Sequence, residues 1–551
     1  MSTYLVAMTV GEFQHIEGQG KIGPQIRLHT TPGKKRLERT LNYHIQAFEY
    51  FNRLFDFVDP MKKVDVLVVE DFEVAGMENW ALIMYAEKIV FYNDHSTMME
   101  EAVTVGHEVA HFWFGNLVTM KWWDDLWLKE GFATFLGHQL AADNYPELPS
   151  WEFFLSNGLE RAREVDSLIS TKAVLAPIQA DQLDYVYDSI RYTKSAHFIR
   201  MLCDQHAYGN VVSDDLWAAF MDATGMDLKT TYSAWITNPG YPVISVATSS
   251  HPGEVTFSAR RFIASGALDP NHLGCHSFTH RSDIPGTFHI SFGAVDFVQL
   301  NPECTGFMIV HYDRALFGKL LNAYRNKELT DVGRFTLVSD TAHLVRAGMS
   351  NIDDLVDLIV LSRKERSFMV LSPIADAIDG IRTWLWDSEE YVLSFHFSQF
   401  VEHMFNDTLQ DIDLGRRELF LAKELRRKIK ASTANKVAER DVVWNFMKYN
   451  WNTQGLARLL GSPTSRKRLE TLSHTLSSFA NSTVIQEAKS LFTADQRLTV
   501  NGYLRRMEER MTINKRQHEL HSRNLRRWLA KRGYGTFFEF QKHNYGEQSR
   551  M

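Results

Sequence analysis

The pentad His107-Glu108-Val109-Ala110-His111 sets two imidazoles four residues apart, with a carboxylate next to the first. On a helix, positions four apart share a face, so both rings can reach one metal ion while Glu108 stands beside it as a base. With 22 His in 551 residues, chance supplies roughly 0.05 such pentads. A catalytic zinc also needs a third protein ligand and an open position for water. Glu130 lies nineteen positions after His111, within Trp127-Leu128-Lys129-Glu130-Gly131-Phe132-Ala133, which has a helical pattern. A second helix folding back could present that carboxylate to the same ion, and its apolar surroundings would make it costly to leave unpaired. The expectation is one Zn2+ per chain on His107, His111 and Glu130. Asp124 and Asp125 are candidates to accept a His N–H.

These residues need elements to hold them. An apolar helical stretch begins near Met98 and carries the pentad, and the pattern stays mainly helical to about Trp235. Upstream, residues 35–57 place Leu41, His44, Phe48, Phe51 and Phe55 at spacings of three and four, as on a helix, and residues 64–69 read as a strand. The first twenty residues read as extended, with Tyr4–Val10 apolar on both faces as in a buried strand. Such a strand needs neighbours, and none precedes it, so part of an N-terminal domain is expected to be missing. From Tyr241 to Asp313 the period changes to two, the mark of a small β domain. Beyond Asp313 the apolar spacing is helical to the end, which suggests an array of helix pairs.

Composition excludes some function classes. Hydrophobic residues make up 44% and charged residues 23%, and no run of about 18 apolar residues could span a bilayer. The net charge of −7 gives no overall attraction to a phosphate backbone, so nucleic acid is not an expected partner. Cys203, Cys275 and Cys304 form neither a disulfide framework nor a zinc knuckle. With no basic or long apolar leader at the start, a reducing, cytoplasmic location is the expectation. The basic clusters Arg426-Arg427-Lys428 and Arg526-Arg527 read as solvated helix faces.

The segment from His107 to Phe135, HEVAHFWFGNLVTMKWWDDLWLKEGFATF, resembles the zinc signature of the M1 aminopeptidases, in which HExxH is followed by eighteen residues and Glu. Val74-Ala75-Gly76-Met77-Glu78-Asn79-Trp80 is similar to the family's Gly-x-Met-Glu-Asn exopeptidase segment, and Tyr192-Thr193-Lys194-Ser195-Ala196 to its Tyr-x-Lys-Gly-Ala. The likeness continues through Gly240-Tyr241-Pro242-Val243 and Leu300–Phe307 into the helical tail.

The resemblance implies a multidomain α+β fold. Residues 1–13 would be the remnant last strand of an N-terminal β domain, and 14–240 a thermolysin-like, mainly helical catalytic domain. Residues 241–313 would be a small β-sandwich, and 314–551 a C-terminal, solenoid-like helical domain. It also implies a zinc aminopeptidase acting on peptides with a free N-terminus. Glu108 would be the general base, Tyr192 the oxyanion donor, and Ala75, Gly76, Met77, Glu78 and Asn79 the substrate-binding segment, with Glu78 on the α-ammonium.

The chain departs from the family where Lys129 replaces the usual Asn, where Ser195 replaces Gly, and in the reversed order of Ala75-Gly76. It also runs from Met201–Gln205 almost directly into His206, where the family carries roughly one more helix. The alternative to an enzyme is a catalytically impaired, M1-like zinc-binding or scaffold protein. A second enzymatic alternative is hydrolysis of a lipid epoxide, as in one branch of the family.

Overall fold

The computed structural model describes residues 2–534 apart from 35–36, 92–94, 180–182, 184–185, 206–227, 251–253, 268–287, 292–294, 387–390 and most of 411–481. The expected strand at Tyr4–Val10 is not formed. Thr3–Leu5 is a turn of 3-10 helix, and Val6, Met8 and Val10 beyond it are 64%, 89% and 91% exposed. Alternation makes a strand only where a neighbour takes up the backbone N–H and C=O groups. The first pair to do so is β1 (Gln14–Gln19) with β2 (Gln25–Thr30), antiparallel from Gln14 opposite Thr30 to Gln19 opposite Gln25.

These two strands open a five-stranded sheet of order β1-β2-β3-β5-β4, with β3 at Lys63–Val69, β4 at Gly76–Met77 and β5 at Leu82–Ala86. β2, β3 and β5 run parallel, and the short β4 lies antiparallel on the β5 edge. The helix expected over 35–57 spans Glu38–Leu54 (α1), and its Phe48 and Phe51 share one core with Ile26, Leu28, Val64 and Val66 of the sheet. That core also includes Val105, Val109 and Phe112, so α2 (His95–Ala110) is anchored on the sheet whose edge strand is β4.

The next long helix, α3 (Leu126–Asn144), packs against α2 through a pair of glycines. A Cβ on Gly106 would stand 3.0 Å from the Gly137 Cα, and one on Gly137 would stand 2.6 Å from the Val103 carbonyl. The two backbones are therefore in direct contact, next to His107. After α4 (Glu160–Asp166), a π-helical turn over Ile190–Lys194 leads into α5 (Ser195–Gln205). The expected shortening after Gln205 falls outside the described residues, as do Cys275 and the cluster at Arg426. α6 (Leu228–Thr237) closes this part of the chain.

The change of period at Tyr241 is borne out. β6 (Pro242–Thr248), β7 (Glu254–Arg261), β8 (Phe288–Ser291) and β9 (Ile309–Tyr312) form a sheet of order β8-β7-β6-β9. Among the described residues this is one sheet, not two. Val246, Phe257 and Val310 pack on the helices that follow, whereas Val243, Phe262 and Ile309 join a core with Trp127, Phe154 and Ile190. The helical region begins with α7 (Arg314–Arg325), α8 (Asp331–Arg346), α9 (Ile352–Leu361), α10 (Phe368–Trp386) and α11 (Tyr391–Gln410). Asp313 and Thr330 cap α7 and α8 by accepting the Leu316 and Gly333 N–H groups at 2.8 and 3.0 Å. α12 (Ser482–Ser490) and α13 (Ala494–Leu529) complete it, and Thr493 and Gln496 form a capping box on α13. None of the described helices is long and apolar enough to cross a membrane.

A buried charge network ties α4 to α8. Glu160 bonds His343 Nε2 at 3.0 Å and accepts from the Ser339 hydroxyl at 2.7 Å. Arg163 donates to Glu160, to Asp340 and to the Met308 carbonyl. Burial alone would raise the Glu160 carboxyl, but His343, Arg163 and Ser339 outweigh it and hold it down at about 2. Because the folded value lies below the ordinary carboxylate value, this stabilisation is present above about pH 4.5 and is lost as pH falls toward 2. It amounts to about 3 kcal/mol. Asp340, pushed up to about 6 by burial, has the opposite sign and acts mostly at higher pH. Denaturant titrations between pH 5 and 2 should show a steep loss that Glu160→Gln flattens. An unchanged slope in the variant would assign the acid sensitivity elsewhere.

Candidate metal centre and active site

His107 and Glu108 occupy the last turn of α2, and His111 follows directly, its N–H bonded to the His107 carbonyl at 3.2 Å. Glu130 sits in the second turn of α3, brought within reach by the Gly106–Gly137 contact. The three donor atoms form a small triangle. His107 Nε2 lies 3.0 Å from His111 Nε2, and Glu130 Oε2 lies 3.2 and 3.4 Å from the two nitrogens. Nitrogen and oxygen ligands about 2.0–2.1 Å from a tetrahedral zinc stand about 3.3 Å apart, so the donor set fits that ion. Glu130 Oε2 is buried and has no hydrogen-bond partner among the described residues, as a ligand atom requires.

The imidazoles are held from behind. His111 Nδ1 is 2.9 Å from the Phe114 carbonyl, which can only accept, so Nδ1 carries the proton and Nε2 keeps its lone pair. His107 Nδ1 lies 3.3 Å from the Thr134 hydroxyl. Asp124 and Asp125 do not take these roles. Asp124 accepts the Ile178 N–H at 2.6 Å, and Asp125 ends the 3-10 turn that leads into α3. Gly115, at φ +134, supplies the tight turn that brings the Phe114 carbonyl under His111.

Glu108 lies outside the triangle, buried against β4. Its Oε2 has no hydrogen-bond partner among the described residues. Burial, then the anionic Glu78 and Glu130, push its carboxyl well above the usual range, so it holds a proton readily. A Cβ on Gly76 would collide with this carboxylate, so Gly76 is the only residue type that leaves Glu108 in place. Gly76→Ala should therefore keep the metal yet lower kcat by about 10²-fold, the typical result of displacing a reacting group by an ångström. Activity and zinc content measured on one preparation check this, and undiminished kcat would show that Glu108 tolerates the shift.

The Ala75–Asn79 segment is placed as follows. Ala75 is exposed, Gly76 and Met77 pair with Tyr85 and Met84, and Glu78 and Asn79 turn inward and are buried. Asn116 donates to the Glu78 carbonyl at 3.0 Å and fixes the turn. Oxygens of Glu78 and Glu108 and a nitrogen of His111 lie within 4.8 Å of one another. Tyr192, on the π-helical turn, stacks its ring on His107 with centroids 5.8 Å apart and planes 10° from parallel. Burial, then Glu130 and Glu78, raise its phenol far above the ordinary value, so it stays a hydrogen-bond donor. Lys194 anchors the same turn, giving hydrogen bonds of 2.7 Å to Asp166 and 2.8 Å to the Gly240 carbonyl.

The residue whose role sequence reasoning missed is Lys129. Its side chain is 4% exposed, with Nζ 2.6 Å from Glu78 Oε1 and 2.8 Å from Glu130 Oε1. Burial works against its charge, but Glu130 and Glu78 outweigh it and keep it cationic well beyond the ordinary lysine range. The same cation, with His111, overcomes the effect of burial on Glu78 and Glu130 and holds both carboxyls low. Tyr4 covers it, with the ammonium 5.0 Å from the ring centroid. The available signal was a lysine directly before Glu130 in a run whose remaining residues are apolar or glycine, where a cation must find buried anions.

Residues 39–235 match the Peptidase family M1 domain, and residues 297–435 match an ERAP1-like C-terminal domain. The puromycin-sensitive aminopeptidase of Caenorhabditis elegans is 32% identical over 448 residues, covering 74% of this chain and 47% of that protein. Aminopeptidase M1-D of Oryza sativa subsp. japonica is 34% identical over 425 residues, 69% of this chain and 48% of the relative. For aminopeptidase 2, mitochondrial, of Saccharomyces cerevisiae the identity is 30%, over 71% of this chain and 44% of the relative. The chain spans about half the length of the curated relatives it matches. With the HExxH helix and the third carboxylate inside the matched segment, residues 39–235 of the chain are a peptidase family M1 domain, followed by an ERAP1-like C-terminal domain.

Proposed function

We propose that the chain is a zinc aminopeptidase that hydrolyses the first peptide bond of peptides bearing a free α-amine. The observation that carries this reading is the convergence of Glu78, Glu108 and Tyr192 on the His107–His111–Glu130 triangle. Zinc held by those three residues would supply Lewis acidity toward the scissile carbonyl and a lowered pKa for water. Glu108, buried beside the triangle within reach of His111, takes the proton of the attacking water and passes it to the leaving amine. Tyr192, protonated at neutral pH, donates to the oxygen that gains charge. Glu78, held ionised, receives the substrate's ammonium and so restricts cleavage to the chain end.

On this reading residues 14–240 are a thermolysin-like catalytic unit, 241–313 a small β unit built on the second sheet, and 314–551 a helical unit. The relatives named as aminopeptidases support the assignment. Incubation with an aminoacyl-coumarin and with its N-acetylated twin should release fluorophore from the free amine alone, and a chelator should abolish the release. Equal cleavage of both compounds would contradict the exopeptidase reading. Full zinc content without turnover would favour a binding protein.

A further inference from the structure

Glu78 is not an empty anion waiting for a substrate. Its Oε1 already receives the Lys129 ammonium at 2.6 Å, a shorter contact than the 2.8 Å from the same ammonium to Glu130. Lys129 has nowhere to retreat, because Glu78, Glu130 and the Tyr4 ring enclose it, and Tyr4 is itself packed on Trp123 with centroids 5.4 Å apart. Its stem lies in α3 next to a metal ligand, so its position is fixed by the helix that builds the site. A substrate ammonium reaching Glu78 must therefore share the carboxylate with a second, fixed cation.

Resting on the aminopeptidase reading above, we propose that Lys129 is a specificity-determining residue, an internal cation that occupies the amine anchor and sets a low affinity for free N-terminal amines. Two like charges on one buried carboxylate repel, and in a water-poor site that repulsion is large. Removing the lysine charge frees Glu78 for the ligand alone. The gain is confined to ligands that carry an ammonium, because only they meet the repulsion. It also requires Glu78, since without that carboxylate there is nothing to share.

The test is equilibrium binding of leucinamide and N-acetyl-leucinamide by calorimetry to the zinc-loaded chain carrying Glu108→Gln, which keeps the metal and stops hydrolysis of the free-amine ligand, with zinc content and thermal stability recorded for every variant. Lys129→Gln should bind leucinamide on the order of 10-fold more tightly and leave N-acetyl-leucinamide unchanged. Lys129→Arg, which keeps the charge, should stay at the starting affinity. The gain should vanish when Glu78→Gln is combined with Lys129→Gln. Should Lys129→Gln fold poorly, Lys129→Met carries the same expectation at similar length without charge. Unchanged or weaker leucinamide binding in a folded, zinc-loaded neutral variant overturns the proposal, as does an equal gain for the acetylated ligand. Aminoacyl-coumarin turnover by the matching Lys129 series with Glu108 intact reports separately on the hydrolase reading. Its absence alongside the expected binding pattern would defeat that reading and keep the Lys129 assignment.

Discussion

Glu108→Gln is expected to leave zinc content unchanged and to lower kcat by about 10²–10⁴. The substitution preserves volume and polarity and removes only the capacity to accept a proton. Glu108 is buried, its Oε2 has no partner among the described residues, and it stands outside the donor triangle. Little else therefore depends on its charge. Removing it also relieves the crowding of three carboxylates, so the folded state should not suffer. Zinc analysis and steady-state kinetics on one preparation separate the outcomes. Loss of metal would place Glu108 among the ligands, and an unaltered kcat would end its assignment as the base.

The second large effect is on the metal itself. Glu130→Ala leaves two imidazoles, too few to hold a catalytic zinc, and should reduce affinity by more than the 10–100-fold that loss of an outer partner typically costs. His107→Ala and His111→Ala should do the same. Glu130 is informative because its other oxygen pairs with Lys129, so the variant also strips one anion from a buried cation. A lower melting temperature should accompany the loss of zinc, larger than in the histidine variants. Full zinc occupancy in Glu130→Ala would remove it from the ligand set.

Much of this arrangement was legible in the sequence, and the limits have physical reasons. The four-residue spacing of His107 and His111 fixes their shared face on any helix, and the folding back of α3 upon α2 brings Glu130 as expected. The change to a period of two after Tyr241 likewise marked a real sheet. The apolar alternation at Tyr4–Val10 misled because it carries no information about a partner strand, and without one Met8 and Val10 lie in solvent while Leu5 alone is buried. Asp124 looked available for a His N–H, but the backbone of Ile178, far along the chain, claims its oxygen. Lys129 stood out as a departure from the family pattern, yet its meaning depends on Glu78, 51 positions earlier. Only the fold brings those two together.

The glycine pair at 106 and 137 has a bearing on how this chain can drift. Gly137 is seven residues, about two helical turns, beyond Glu130, and Gly106 immediately precedes His107. The spacing of the donors is thus referred to a contact between two main chains, which cannot be compressed and has no rotamers. Side chains throughout the surrounding core can be exchanged for others of similar volume without passing the change on to the metal site. A single methyl group at either position would wedge α2 from α3 and carry Glu130 away from both imidazoles at once, while the spacing of the two imidazoles is set within one stretch of chain. Random mutagenesis selected for retained zinc should therefore find the neighbouring apolar positions permissive and these two invariant.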